Sequence, residues 1–441
     1  MLLSLSVAGS EKPQPESAAS RLPFSVHGFL ESTYTYRSRG GETDHDLDQF
    51  LSLRFADRRK RWVRGYVSAR FSQDLDGFDR SDPFAGFPDT FGRTYERLSA
   101  AYLEVTPRLR LLQAVRFGRQ LLPEVSFPIR FDGVHASTGK LEDFLCTRLA
   151  AFGGIPDHIG ESSGRLDRLL GASLCISPPG LARLCCTYVR LCDTYRVHDA
   201  LGSSVRHASR DDYIVFTVRR RFGERLFLSG KYSLLNGNAR DARVRALYYL
   251  PEIHSGLSVS YSGLFKTQAQ QSAELDPYVS VLRVYRPYHQ FSARLWHDFN
   301  DAVSVETGLT VRRLTRGRHL GPFNHEFERY WGGLTVRQWP LDGTELSLLC
   351  DFYDTGSDRH LELEGWVNYE FCKGLSAEVG SGYSLFQEDR YTLRERVDVR
   401  TGFARISWDV LPQVRIRCGY TVEDDQSRTT HLLELALRWR F

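Results

Sequence analysis

The chain has 441 residues, carries 58 basic against 54 acidic side chains for a formal net charge of +4, and is 41% hydrophobic and 12% aromatic. Acids and bases are interspersed, so no basic face for nucleic acid is present, and no run of about 18 apolar residues exists for a helix to cross a bilayer. A closed barrel remains open to such a chain, because helices and barrels are the two structures that satisfy every backbone polar group in lipid.

In chain order, Met1 to Gly9 reads MLLSLSVAG, a short apolar stretch ending in small residues. It has the character of the apolar region and cleavage site of an export signal, without the positive leading segment. Residues 10–22 are polar, with Pro13 and Pro15. The expected division is a signal remnant and flexible lead-in over 1–23, then one domain over 24–441. From Phe24 onward, apolar and polar residues alternate in segments of about 10 to 13 residues. The clearest are Gly256 to Lys266, Ala302 to Leu314, Arg359 to Phe371, Gly374 to Leu385 and Pro412 to Glu423. In Ala302 to Leu314, Val303, Val305, Thr307, Leu309 and Val311 share one face, and Ser304, Glu306, Gly308, Thr310 and Arg312 share the other, as the period of two in a strand dictates. Strands of soluble sandwiches run nearer 5 or 6 residues, whereas a tilted membrane crossing needs about 9 to 11. Length therefore favours the membrane.

Connections agree. Thr106–Arg108, Ser177–Gly180, Arg221–Glu224, Phe299–Asp301, Pro340–Gly343, Cys372–Gly374 and Leu411–Pro412 read as tight turns. Asp74–Thr94, Phe152–Gly164, Thr194–Ser209 and Thr267–Pro287 read as long polar loops. Short turns on one rim and long loops on the other are the asymmetry of outer-membrane barrels. The fold expected is all-β: a single transmembrane antiparallel up-and-down β-barrel of about 16–22 strands. The region from Leu98 to Cys192 is the least regular.

Candidate lumenal residues follow from the polar phase. They are Arg119, Arg130, Asp132, Arg294, Asp298, Glu306, Arg312, Glu362, Glu364, Asp398, Arg400, Arg415, Arg417, Glu434 and Arg438. Both signs interleave, as cross-strand pairing across a wide wall requires. Support of the wall is the plainer reading of these charges. The loop Asp74–Thr94, with Asp74, Asp76, Phe78, Phe84, Phe87 and Phe91, is the candidate constriction, folding inward as an eyelet or else capping the outer rim. Asp211–Asp212 and Asp424–Asp425 belong to solvated rims. The eight cysteines read mainly as small apolar residues, because Cys350 shares a face with Leu346, Leu348 and Phe352, and Cys418 with Val414, Ile416 and Tyr420. Disulfides are therefore not expected, despite the even count. No CxxCH, HExxH, GxSxG or GxxxxGK[ST] pattern occurs, so neither a bound cofactor nor an enzyme is expected.

The chain ends HLLELALRWRF, with Leu433, Leu435, Leu437, Trp439 and Phe441 on one face. This resembles the C-terminal signature of Gram-negative outer-membrane β-barrel proteins, which implies outer-membrane location, contact with outer-membrane lipid and recognition by the barrel assembly machinery. Phe117-Gly118-Arg119-Gln120, followed by Arg130-Phe131-Asp132-Gly133-Val134, is similar to the GRQ…FDG pattern of porin-like barrels, including the alginate-export type. Between these halves the chain reads LLPEVSFP and departs from the tryptophan-containing stretch of alginate exporters. Here Arg119, Arg130 and Asp132 pair across strand ends or lock a loop. The expectation is a porin-like channel for passive passage of small polar or charged solutes. The rival is a sheath barrel that houses a multihaem cytochrome in an electron conduit, and a third reading is a structural or adhesive barrel. A homo-oligomer is compatible with each.

Overall fold

Alternation in the sequence becomes backbone pairing in the computed structural model. It describes residues 24–58, 62–77, 94–107, 109, 111–122, 129–142, 145–157, 167–198, 204–265, 287–315, 326–356, 359–388, 395–425 and 428–441. Among them the chain forms 22 strands. The first eight are β1 (Phe24–Arg39), β2 (Glu42–Asp57), β3 (Val63–Asp74), β4 (Thr94–Val105), β5 (Ala114–Leu121), β6 (Arg130–Ser137), β7 (Arg148–Pro156) and β8 (Arg168–Ile176). There follow β9 (Arg183–His198), β10 (Ser204–Phe222), β11 (Leu226–Leu235), β12 (Asn238–Leu250), β13 (Ser255–Leu264), β14 (Tyr288–Asp298) and β15 (Val303–Leu314). The last are β16 (Phe327–Arg337), β17 (Thr344–Asp354), β18 (Arg359–Cys372), β19 (Leu375–Glu388), β20 (Glu395–Leu411), β21 (Val414–Asp424) and β22 (Thr429–Arg440).

Each strand pairs antiparallel with its neighbours in sequence, and β22 pairs back onto β1 from Phe29↔Arg440 to Arg39↔Thr430. The seam is finished by reciprocal backbone bonds between Gly28 and Phe441, N to O 2.9 and 3.1 Å. The sheet therefore closes, which removes the edges that lipid would leave without hydrogen-bond partners. Both described ends of the chain lie on one rim. That rim carries most of the tight turns, such as Lys373–Gly374, where Gly374 takes φ +91°; the strand ends that longer connections join, including Asp74 and Thr94 and Leu264 and Tyr288, lie on the opposite rim. By the usual asymmetry these are the periplasmic and extracellular rims. Two tight turns stand on the extracellular side, Gly40–Gly41 at φ +61° and +96° and Asn236–Gly237 at φ +51° and +77°; both carry the paired positive φ that a two-residue hairpin of the type I′ class demands.

The expected long loop Thr194–Ser209 is mostly strand. β9 runs to His198 and β10 begins at Ser204, with Ser204↔His198 paired. The backbone ladder between β9 and β10 is therefore longer than the sequence pattern indicates.

Register assigns faces. Leu348, Leu363, Val367, Val379, Ile406 and Ile416 form one exposed apolar face. Asp44, Asp46, Ser68, Ser72, Phe131, Phe152 and Val189 on the other phase are buried. A single closed wall can bury side chains only on its concave side, so the second phase is lumenal and the first meets lipid. Trp408 and Trp439 near the periplasmic rim, and Tyr330 and Tyr420 towards the extracellular one, flank the outer belt, where amphipathic rings suit the membrane interface.

Candidate functional site

The lumenal wall differs around its circumference. Along β13 to β22 and across the seam to β1 it is charged and paired. Arg294 meets Glu306, and Arg329 meets Asp351. Arg312 donates from Nε and Nη2 to Gln290 Oε1 at 3.0 and 2.8 Å. Arg405 donates to Glu378 at 2.7 Å and Arg415 to Asp409 at 2.5 Å. At the seam Glu31 accepts from Arg417 at 2.7 Å and also from Arg438. These are cross-strand pairs, the unit by which a sheet face is stabilised. Many remain open to solvent inside the barrel: Arg294 and Arg405 keep 51% and 57% of their side-chain surface accessible.

The candidate wall residues fall into two groups. Arg294, Asp298, Glu306, Arg312, Glu362, Glu364, Arg415, Arg417, Glu434 and Arg438 lie on the lumenal phase of the register. Five others lie on the opposite phase near the extracellular rim. Arg400 is opposite Tyr383, whose hydroxyl donates to Asp398 at 2.7 Å. Arg119 and Asp132 are opposite one another between Phe117↔Val134 and Leu121↔Arg130, the outer face. Arg119 forks onto Asp132 at 2.8 Å through both Nε and Nη2 and reaches Asp157 at 3.0 Å. Gly118, at φ +116°, has no room for a Cβ, which would stand 2.3 Å from the Ala101 carbonyl oxygen. Burial pushes the Asp157 carboxyl above its usual range even though Arg119 opposes the shift. This cluster is thus a rim clamp joining β5, β6 and the end of β7. At the rim the outer face has left the hydrocarbon, so charge no longer marks the lumen.

Of the constriction candidates, Asp74 closes the end of β3 by accepting from the backbone N–H of Asp76 and Gly77 at 3.1 and 2.8 Å. Asp76 accepts from the His45 N–H at 3.2 Å. Phe78, Phe84, Phe87 and Phe91 lie outside the described residues. Leu433, Leu435, Leu437 and Trp439 point outward along β22, and Phe441 completes the seam.

From β5 to β11 the lumenal face is different in kind. Towards the extracellular side, Leu122, Ile129, Phe131, Phe152, Leu169, Val189, Leu191, Tyr213 and Val215 form one buried apolar cluster inside the barrel. The Phe152 ring lies 6.4 Å from that of Phe131 and stacks on His135 at 6.1 Å. Leu169 is fully buried, while its neighbour Leu170 is 57% exposed on the lipid face. On the periplasmic side of the cluster is a cavity of about 590 Å³ whose lining includes Arg64, Glu104, Arg116, His135, Arg148, Arg183 and Arg219. Cys175 and Cys185, opposed on β8 and β9, form a disulfide in its wall. This corrects the expectation of unpaired cysteines. The two are lumenal and in register, which no count or spacing reveals. Cys350 and Cys418 remain free on the outer face. Reasoning from sequence also missed Glu31, Arg329, Asp351, Glu378 and Asp409, although each continues the polar phase of its own strand.

Neither protein-family models nor curated proteins match the sequence. Solved structures do match. The translocation pore of the P pilus usher PapC superposes with a TM-score of 0.55 at 9% identity, over 94% of this chain and 99% of that one. The siderophore receptor PirA from Pseudomonas aeruginosa gives 0.55 at 10% identity, over 94% and 80%. The copper transporter OprC gives 0.53 at 12%, again over 94% and 80%. These likenesses are of fold, and they lend nothing specific to the alginate-export resemblance. Closure, the apolar outer belt and these neighbours agree that the chain is an outer-membrane β-barrel of the cell outer membrane.

Proposed function

We propose that the barrel is a porin-like channel for passive movement of small polar or charged solutes. The observation that carries this reading is the lumenal wall from β13 to β1, whose paired charges stay accessible to water inside a closed sheet. A wall of alternating sign supports a hydrated path and offers transient partners to ions of either charge, so selectivity would come from local excess charge and from constriction. Single-channel recording of the purified full-length barrel in a planar bilayer tests it. Large, stable, ohmic steps are expected, with ion substitution reading the charge preference. Silence from correctly folded protein would overturn the reading.

Width favours a second reading. Barrels of 16 to 18 strands already enclose aqueous channels, and 22-stranded outer-membrane transporters hold a plug. The 22 strands here would accommodate a protein occupant, and a multihaem cytochrome insulated by the barrel fits that width. Co-purification of a haem protein together with low conductance of the complex would support this alternative.

A further inference from the structure

The cavity on the periplasmic side of the lumen carries charge that its own wall does not balance. Five arginines line it against a single carboxylate among its lining residues, Glu104, which already accepts from Arg116 Nε at 2.6 Å. Arg183 on β9 and Arg219 on β10 are direct cross-strand neighbours, and like charges in that relation repel. Among the described residues neither has a carboxylate partner. Arg183 Nη2 reaches Cys175 Sγ at 3.9 Å, and Arg148 Nη2 reaches Ser137 Oγ at 3.4 Å. The arginines of the opposite wall, from Arg294 to Arg438, instead meet carboxylate or carboxamide oxygens.

We propose that this cavity binds a multiply charged oxyanion, a polycarboxylate or a phosphate-bearing solute, held chiefly by Arg148, Arg183 and Arg219. The inference rests on the channel reading, in that the ligand reaches the cavity through an open lumen. Guanidinium forks match carboxylate and phosphate geometry two bonds at a time. A volume of about 590 Å³ lies within the range of small-molecule sites. The Cys175–Cys185 disulfide fixes β8 to β9 beside the arginines, since Cys175 is also the register partner of Arg148. Their spacing is therefore set before a ligand arrives, which lowers the ordering cost of binding.

The test is calorimetric titration of the full-length folded barrel in detergent with pyrophosphate, citrate and acetate. Pyrophosphate or citrate should bind at least about tenfold more tightly than acetate, and whichever of the two binds better identifies the phosphate or the carboxylate source. Replacing Arg183→Gln and Arg219→Gln together should weaken binding by roughly tenfold for each guanidinium lost. Arg225→Gln, in the β10–β11 turn and paired with Glu252, should leave it unchanged. Heat-dependent gel mobility reports folding of each variant. If the double glutamine variant does not fold, Arg183→Lys with Arg219→Lys decides instead: charge without the fork should still weaken binding. Absence of pyrophosphate and citrate binding to the folded wild type, or unchanged affinity in a folded double variant, overturns the proposal. Binding without current in a bilayer would sink the channel reading and leave the site standing; current without binding would do the reverse.

Discussion

Phe152→Ala probes the feature that most distinguishes this lumen, its one-sided apolar packing. Phe152 is 5% exposed, packs on Phe131 and His135, and covers Gly171 on β8, where an added Cβ would stand 2.4 Å from the ring. Loss of the ring forfeits about 2 kcal/mol of transfer free energy. A residual void on the order of 80 Å³ adds about 2 kcal/mol at roughly 24 cal/mol per Å³. The expected total is about 3–5 kcal/mol, the range usual for Phe→Ala in a packed core. Reversible guanidinium unfolding of the barrel in phospholipid vesicles, followed by tryptophan fluorescence, measures it. Single-channel conductance should rise in the same variant, because the cluster fills lumenal cross-section. A loss below about 1 kcal/mol, with unchanged conductance, would refute the idea that the cluster is packed and occludes part of the lumen.

Other expectations address other parts of the wall. Val379→Arg places a charge on the lipid face and should cost about 2–4 kcal/mol in the same unfolding assay if it lies at the bilayer midplane, whereas Glu378→Gln on the adjoining lumenal position should cost no more than about 1 kcal/mol. In protein unfolded in guanidinium, Cys350 and Cys418 should react with maleimide directly, while Cys175 and Cys185 should react only after reduction, as read by mass spectrometry; labelling of the latter pair without reductant would contradict the disulfide. The raised carboxyl of Asp157 favours the protonated form in the folded state. Its contribution is therefore most favourable below the unfolded value near 3.8 and declines as pH rises through the folded one. Asp157→Asn should gain stability relative to wild type between pH 4 and pH 7, and a relative loss over that interval would mean that the Arg119 pair outweighs burial.

How much of this was legible beforehand varied around the barrel. Between β13 and β22 the lumenal wall is polar and the outer face apolar, so the period of two shows directly in Val303 to Leu314 and in Leu361 to Phe371. Between β5 and β9 it fails, because Phe131, Phe152, Leu169, Val189 and Leu191 make the inner face apolar as well. A strand with two apolar faces has no alternation to read. The same limit explains the rim residues: Arg119, Asp132, Asp398 and Arg400 lie where the outer face is wet, and polarity there no longer names a side. By itself the sequence determined the strand class, closure into a membrane barrel, the turn asymmetry and the outward phase of the last strand, since each depends on local alternation or turn chemistry. Only the tertiary structure decided which charges meet across strands, that Cys175 faces Cys185, and that arginines from β3, β5, β7, β9 and β10 converge on one cavity. Those relations depend on register around a closed circumference, and register is a property of neighbouring strands rather than of any one of them.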